Sequence, residues 1–99
     1  MDIQVDELKK RKDAGEELIL VDVREPYEHE EMNLGGQLIP LGSIMEAMPE
    51  LAPHKKEEII VYCRSGMRSA MAKSLLQQSG FENVRNLLGG VLAWQEKYS

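Results

Sequence analysis

At 99 residues the chain has room for one small domain, spanning positions 1–99, and for no second core. Its 42% apolar and 29% charged content is that of an ordinary folded domain, and no apolar run approaches the roughly 18 residues of a membrane span. The net charge of −5 argues against nucleic-acid binding, and one cysteine excludes both an internal disulfide and a cysteine-cluster metal site.

Residues 1–7 show no basic region followed by an apolar run, and a lone free thiol fits a reducing compartment; together they predict a cytoplasmic protein without membrane contact. Residues 3–5 read as a short edge strand. Residues 6–14 read as a helix, with Asp6 and Glu7 in the first turn, Lys9, Lys10, Arg11 and Lys12 later, and Gly15 as the stop. Its basic run reads as a solvated face. Residues 17–22 give the strongest strand signal, nearly continuous and apolar, as in strands buried on both faces. Asp22-Val23-Arg24-Glu25 closes that strand, and Pro26 opens a short acidic helix over 27–32.

Leu38-Ile39 suggests a third strand closed by Pro40. Ser43 is placed to cap a helix carrying Ile44, Met45, Ala47 and Met48, expected to stop before Pro49. After a polar approach, the β-branched run at 58–62 reads as a buried strand. Residues 70–79 read as a helix, with Met71, Ala72, Leu75 and Leu76 at three-to-four spacing. Gly80 is the expected stop, and Phe81 is placed to contact Leu76 as in a Schellman ending. A last strand at 84–87 precedes Gly89-Gly90 and a final helix anchored by Trp94. Strands and helices that alternate in this way imply an α/β fold built on a parallel sheet with right-handed crossovers.

Cys63-Arg64-Ser65-Gly66-Met67-Arg68-Ser69 lies between the 58–62 strand and the helix behind it. An α/β sheet places its ligand crevice at the C-terminal ends of its strands. Unpaired N–H groups of a tight loop and a helix start point at whatever anion sits above them, and Arg64 and Arg68 add two positive charges. Such surroundings lower a cysteine pKa from about 8.5 to roughly 3.5–7.5, which predicts a Cys63 thiolate at neutral pH. Gly66 supplies any positive φ that the cradle requires.

Cys63 to Arg68 resembles the six-residue active-site loop of the rhodanese (sulfurtransferase) family, whose common form is Cys-Arg-x-Gly-x-Arg. Residues 21–25, Val-Asp-Val-Arg-Glu, and 88–94, Leu-Gly-Gly-Val-Leu-Ala-Trp, agree with it in order. The resemblance implies a three-layer α/β/α domain with a central, mostly parallel sheet of about four to five strands. It implies Cys63 as the nucleophile that carries a transient persulfide, and a loop of Arg64, Ser65, Gly66, Met67 and Arg68 that binds a small anionic donor such as thiosulfate. Asp22 and Arg24 would support the loop. No metal or organic cofactor is implied, and the acceptor would be a thiol, cyanide or a protein. Met67 is expected at the pocket rim. One stretch departs: where the family has Gly-His-Ile-x-Gly-Ala, residues 32–37 read Met-Asn-Leu-Gly-Gly-Gln, which bears on packing at the sheet edge more than on chemistry.

His29 and His54 are the only general-base candidates, and nothing in the sequence joins either to a triad. Two rivals remain. A cysteine-dependent phosphatase or arsenate reductase of related build would carry Cys-x5-Arg, one residue longer than the Cys-x4-Arg here. A non-catalytic interaction or sulfur-carrier module would keep the fold without the reaction.

Overall fold

The computed structural model describes residues 1–98. Its elements are α1 (Val5–Asp13), β1 (Ile19–Asp22), α2 (Pro26–Glu31), β2 (Gln37–Leu38), α3 (Ile44–Leu51), β3 (Glu58–Tyr62), α4 (Met67–Gln78), β4 (Asn83–Asn86) and α5 (Gly90–Tyr98), with 3-10 turns flanking α3. The sheet has four strands in the order β2-β1-β3-β4, and every pairing is parallel.

Side chains alternate across this sheet as the two-residue period requires. Val21, Ile59 and Val61 face one side, where Ile44 and Leu51 of α3 and Ala72 and Leu76 of α4 cover them. Leu20, Ile60 and Tyr62 face the other, under Val5 and Leu8 of α1 and Val91 of α5. Two apolar layers on one sheet give the three-layer α/β/α arrangement. The ends of β1 and β3 lie side by side at its centre, with Asp22 paired to Tyr62.

Several boundaries differ from expectation for local reasons. The 3–5 segment makes only one parallel bridge, Ile3 with Leu87, because Val5 already turns into α1. Helix α3 runs through Pro49 to Leu51, and Ser43 gives it no side-chain cap. The bond that Pro49 cannot make would end on the carbonyl of Met45, and both residues are exposed to water. Helix α4 starts at Met67, three residues earlier than expected, because Gly66 takes φ 102° and serves as its N-cap. At its far end the Schellman pattern is complete: Phe81 N–H donates to the Leu76 carbonyl at 3.1 Å, and Gly80 N–H to that of Gln77 at 3.1 Å.

The stretch that departs from the family pattern is nonetheless anchored. The Tyr62 hydroxyl accepts the N–H groups of Leu34 and Gly36 at 3.1 and 3.4 Å, and Lys12 Nζ donates to the Leu34 carbonyl at 2.7 Å. A Cβ on Gly36 would meet the Tyr62 ring at 2.8 Å, so glycine is required there.

Candidate active site

Cys63 follows directly on β3, so the sheet delivers its sulfur to the C-terminal crevice. The residue is only 1% exposed. Its carbonyl accepts from Val91 N–H at 2.9 Å, and the Arg64 carbonyl accepts from Leu92 N–H at 3.0 Å; both donors lie in the first turn of α5. A trans peptide points its N–H opposite to its C=O, so drawing the Arg64 carbonyl toward α5 turns the Ser65 N–H away from that helix.

The Gly66 N–H then lies 3.1 Å from Cys63 Sγ, the Ser69 N–H 3.4 Å and the Ser69 hydroxyl 3.3 Å. Burial pushes the Cys63 thiol up. The Ser69 hydroxyl and the N–H groups of Ser69, Gly66 and Ser65 outweigh it, and the thiol titrates below its ordinary value. Donors therefore surround the sulfur, and hydrogen bonds rather than the two arginines are what lower the thiol. The donors come from residues 65, 66 and 69.

The arginines divide. Arg68 makes a bidentate pair with Glu28 of α2, at 2.7 and 3.0 Å, and this holds the Glu28 carboxyl down at about 2. Arg64 is exposed, and its guanidinium has no hydrogen bond or ion pair among the described residues. It lines an open cavity of about 450 Å³ beside Tyr27, Glu31, Leu92 and Gln95. Met67 is 77% exposed, consistent with a place on the rim.

Asp22 and Arg24 form a buried pair, with Arg24 Nε and Nη2 donating to Oδ1 and Oδ2 at 3.0 and 2.8 Å. Arg24 Nη2 also donates to the Met32 carbonyl at 2.6 Å, which ties the exit of α2 to the end of β1. Burial pushes the Asp22 carboxyl up, but the bonds from Arg24 and His29 hold it below the usual range. His29 faces Asp22 Oδ2 at 2.9 Å instead of the sulfur, and His54 sits with Glu57 beside the opposite end of β3.

Sequence reasoning missed two contributors and under-read a third. Ser69 is named there as the end of the loop stretch, without a bond of its own, yet it supplies two of the bonds to sulfur. Asn86 arrives from β4, where its Oδ1 lies 2.5 Å from Ser69 Oγ and its Nδ2 donates to the Gly66 carbonyl at 3.0 Å. Glu28 was visible only as part of an acidic run. Its spacing from Glu25 could have identified a capping box, which the structure contains.

Among the described residues, no helix is long and apolar enough to cross a membrane, and no group of three or more His, Cys, Asp and Glu side chains is arranged to hold a metal ion. The rhodanese-like domain family model matches residues 4–97. A sulfurtransferase of Allochromatium vinosum is 36% identical over 94 residues, covering 94% of this chain and 86% of that one. YrkF of Bacillus subtilis, named as a candidate sulfur carrier protein, is 35% identical over 97 residues; the chain spans about half of its length, 51%. The crystal structure of a rhodanese-related protein from Thermoplasma volcanium superposes with a TM-score of 0.83 at 28% identity, covering 98% of this chain and 92% of that one. The chain belongs to the rhodanese-like domain family.

Proposed function

We propose that the protein moves a sulfane sulfur through a persulfide on Cys63. The Cys63 thiolate attacks the outer sulfur of an anionic donor such as thiosulfate. The sulfur–sulfur bond of the donor breaks, sulfite leaves with the electron pair, and a Cys63 persulfide anion remains. A thiolate, cyanide or a cysteine of an acceptor protein then attacks the outer sulfur and releases the Cys63 thiolate. Arg64 receives the donor's sulfonate through charge-assisted bonds. Arg68 fixes α2 at the mouth, and its charge reaches the donor attenuated by Glu28. The reaction so written needs no metal or organic cofactor.

The observation that carries this reading is the convergence of the Gly66 and Ser69 N–H groups and the Ser69 hydroxyl on one sulfur atom. Fixed donors aimed at a single anionic centre stabilise it without reorganisation. The Cys-x4-Arg loop is a residue shorter than the phosphatase pattern, so it favours the smaller sulfur over a tetrahedral phosphate.

The test is the intact mass of reduced protein after brief exposure to thiosulfate, with Cys63→Ser as control. The expected result is the gain of one sulfur atom by the wild type alone, lost again on adding cyanide. No gain, together with hydrolysis of an aryl phosphate, would overturn the reading in favour of the phosphatase.

A further inference from the structure

Ser69 has one hydroxyl proton and faces two acceptors. Its Oγ lies 3.3 Å from Cys63 Sγ and 2.5 Å from Asn86 Oδ1, in a region where Ser69 and Asn86 are both buried. The Asn86 amide cannot readily turn over. Its Nδ2 donates to the Gly66 carbonyl at 3.0 Å, and a half-turn would set Oδ1 against that carbonyl, two acceptors facing each other. The backbone of Asn86 is pinned as well: its N–H donates to Asp2 Oδ1 at 3.0 Å, and its carbonyl accepts from Ile3 N–H at 3.0 Å. Asn86 therefore presents an oxygen to Ser69 from a fixed position.

We infer that Asn86 is a positioning residue for Cys63: by competing for the Ser69 hydroxyl proton, it weakens the bond that Ser69 donates to the sulfur. When Ser69 turns its proton to Cys63, the Ser69 and Asn86 oxygens are left facing each other with no proton between them. The two bonds compete, and the sulfur receives a weaker donor than its distance to Ser69 suggests. Asn86 thus acts on Cys63 with two signs. Through Nδ2 it steadies the Gly66 loop, which favours the thiolate; through Oδ1 it draws off a donor, which opposes it. The charged groups around this cluster are Arg68, neutralised by Glu28, and Asp2, paired with Lys73 at 2.6 Å. Neither pair includes Asn86's side chain.

A double-mutant cycle on the full chain separates the two signs. Wild type, Asn86→Leu, Ser69→Ala and the double variant are each read by ultraviolet thiolate absorbance, which gives the thiolate-to-thiol ratio at a fixed pH. The inference rests on Cys63 as the reacting sulfur, and this readout requires no sulfur transfer, so failure of the proposed function would not be mistaken for failure here. The loop-steadying contribution is lost in both backgrounds and cancels. The expected result is that Asn86→Leu changes the ratio at least about threefold more favourably with Ser69 present than with Ser69→Ala, the scale of a contested bond to a charged group. Equal changes in the two backgrounds, or a less favourable one with Ser69 present, would overturn the inference. Asn86→Ala takes the place of the leucine variant if circular dichroism shows that the latter does not fold.

Discussion

The Cβ that Gly90 lacks would stand 2.4 Å from the carbonyl oxygen of Cys63 and 2.6 Å from that of Arg64. Helix α5 is therefore seated directly on the backbone of the nucleophile loop, at a distance only glycine permits. Its φ of 57° adds a second reason for glycine. Gly90→Ala is expected to destabilise the fold by at least ~2 kcal/mol, from the left-handed backbone plus a clash with atoms that cannot yield. The urea midpoint should fall with an unchanged slope. Thiolate absorbance should fall with it, because a displaced α5 no longer holds the Arg64 carbonyl away from the sulfur.

Asp22→Ala removes the carboxylate from a pair in which Arg24 is 5% exposed. An uncompensated buried guanidinium is strongly unfavourable, and a loss of about 3–5 kcal/mol is expected in urea unfolding. His29→Ala removes a lesser partner of the same carboxylate and should change stability by no more than ~1 kcal/mol.

Arg64 and Arg68 are expected to separate kinetically. Arg64→Ala should raise the donor KM by about tenfold or more with a smaller effect on kcat, as befits loss of a charge-assisted contact. Arg68→Ala should raise it less, because Glu28 already neutralises that guanidinium. Glu28→Gln, which keeps a capping side chain on α2 but removes the countercharge, should lower KM. Steady-state kinetics with thiosulfate decides the order, and equal effects of the two arginine variants would count against it.

Stability should depend on pH in two windows. Between the depressed midpoint of Cys63 and its ordinary value, the unfolded chain holds a proton that the folded chain has lost. Stability therefore rises with pH across that interval, and Cys63→Ser should abolish the rise. At the acid end the Glu28 carboxyl falls from 4.5 to about 2 on folding. Its contribution is complete above 4.5 and is lost as the pH drops toward 2, and Glu28→Gln should flatten that limb. Urea midpoints measured at intervals across both windows give the slopes.

The features legible in the sequence are those carried by contiguous residues. The run at 58–62, Cys63, Gly66 and the Leu76–Phe81 helix ending are each specified by their neighbours, and all four are found where local rules place them. Gly66 reads locally as a residue for positive φ, but its consequence, a helix that begins at Met67 and brings Ser69 to the sulfur, is not written in its neighbours. Asn86 and Glu28 were not legible in their roles. Asn86 reaches Ser69 across 17 positions and Glu28 reaches Arg68 across 40, and no periodicity encodes contacts of that range. Pro49 points the other way: it is read as a stop, but α3 carries it within its last turn, where the bond it cannot make would fall on an exposed residue.

The wholly parallel sheet has a consequence for the time at which the nucleophile comes into being. Parallel neighbours cannot be joined by a tight hairpin, so no pair of these strands can form from a short segment alone. The carbonyls of Cys63 and Arg64 take their orientation from the N–H groups of Val91 and Leu92, almost thirty residues downstream. On a growing chain the sulfur emerges well before the amides that fix the loop around it. Until α5 docks, nothing holds the Cys63 and Arg64 carbonyls in place, so the loop around the sulfur is completed only with the last helix of the fold.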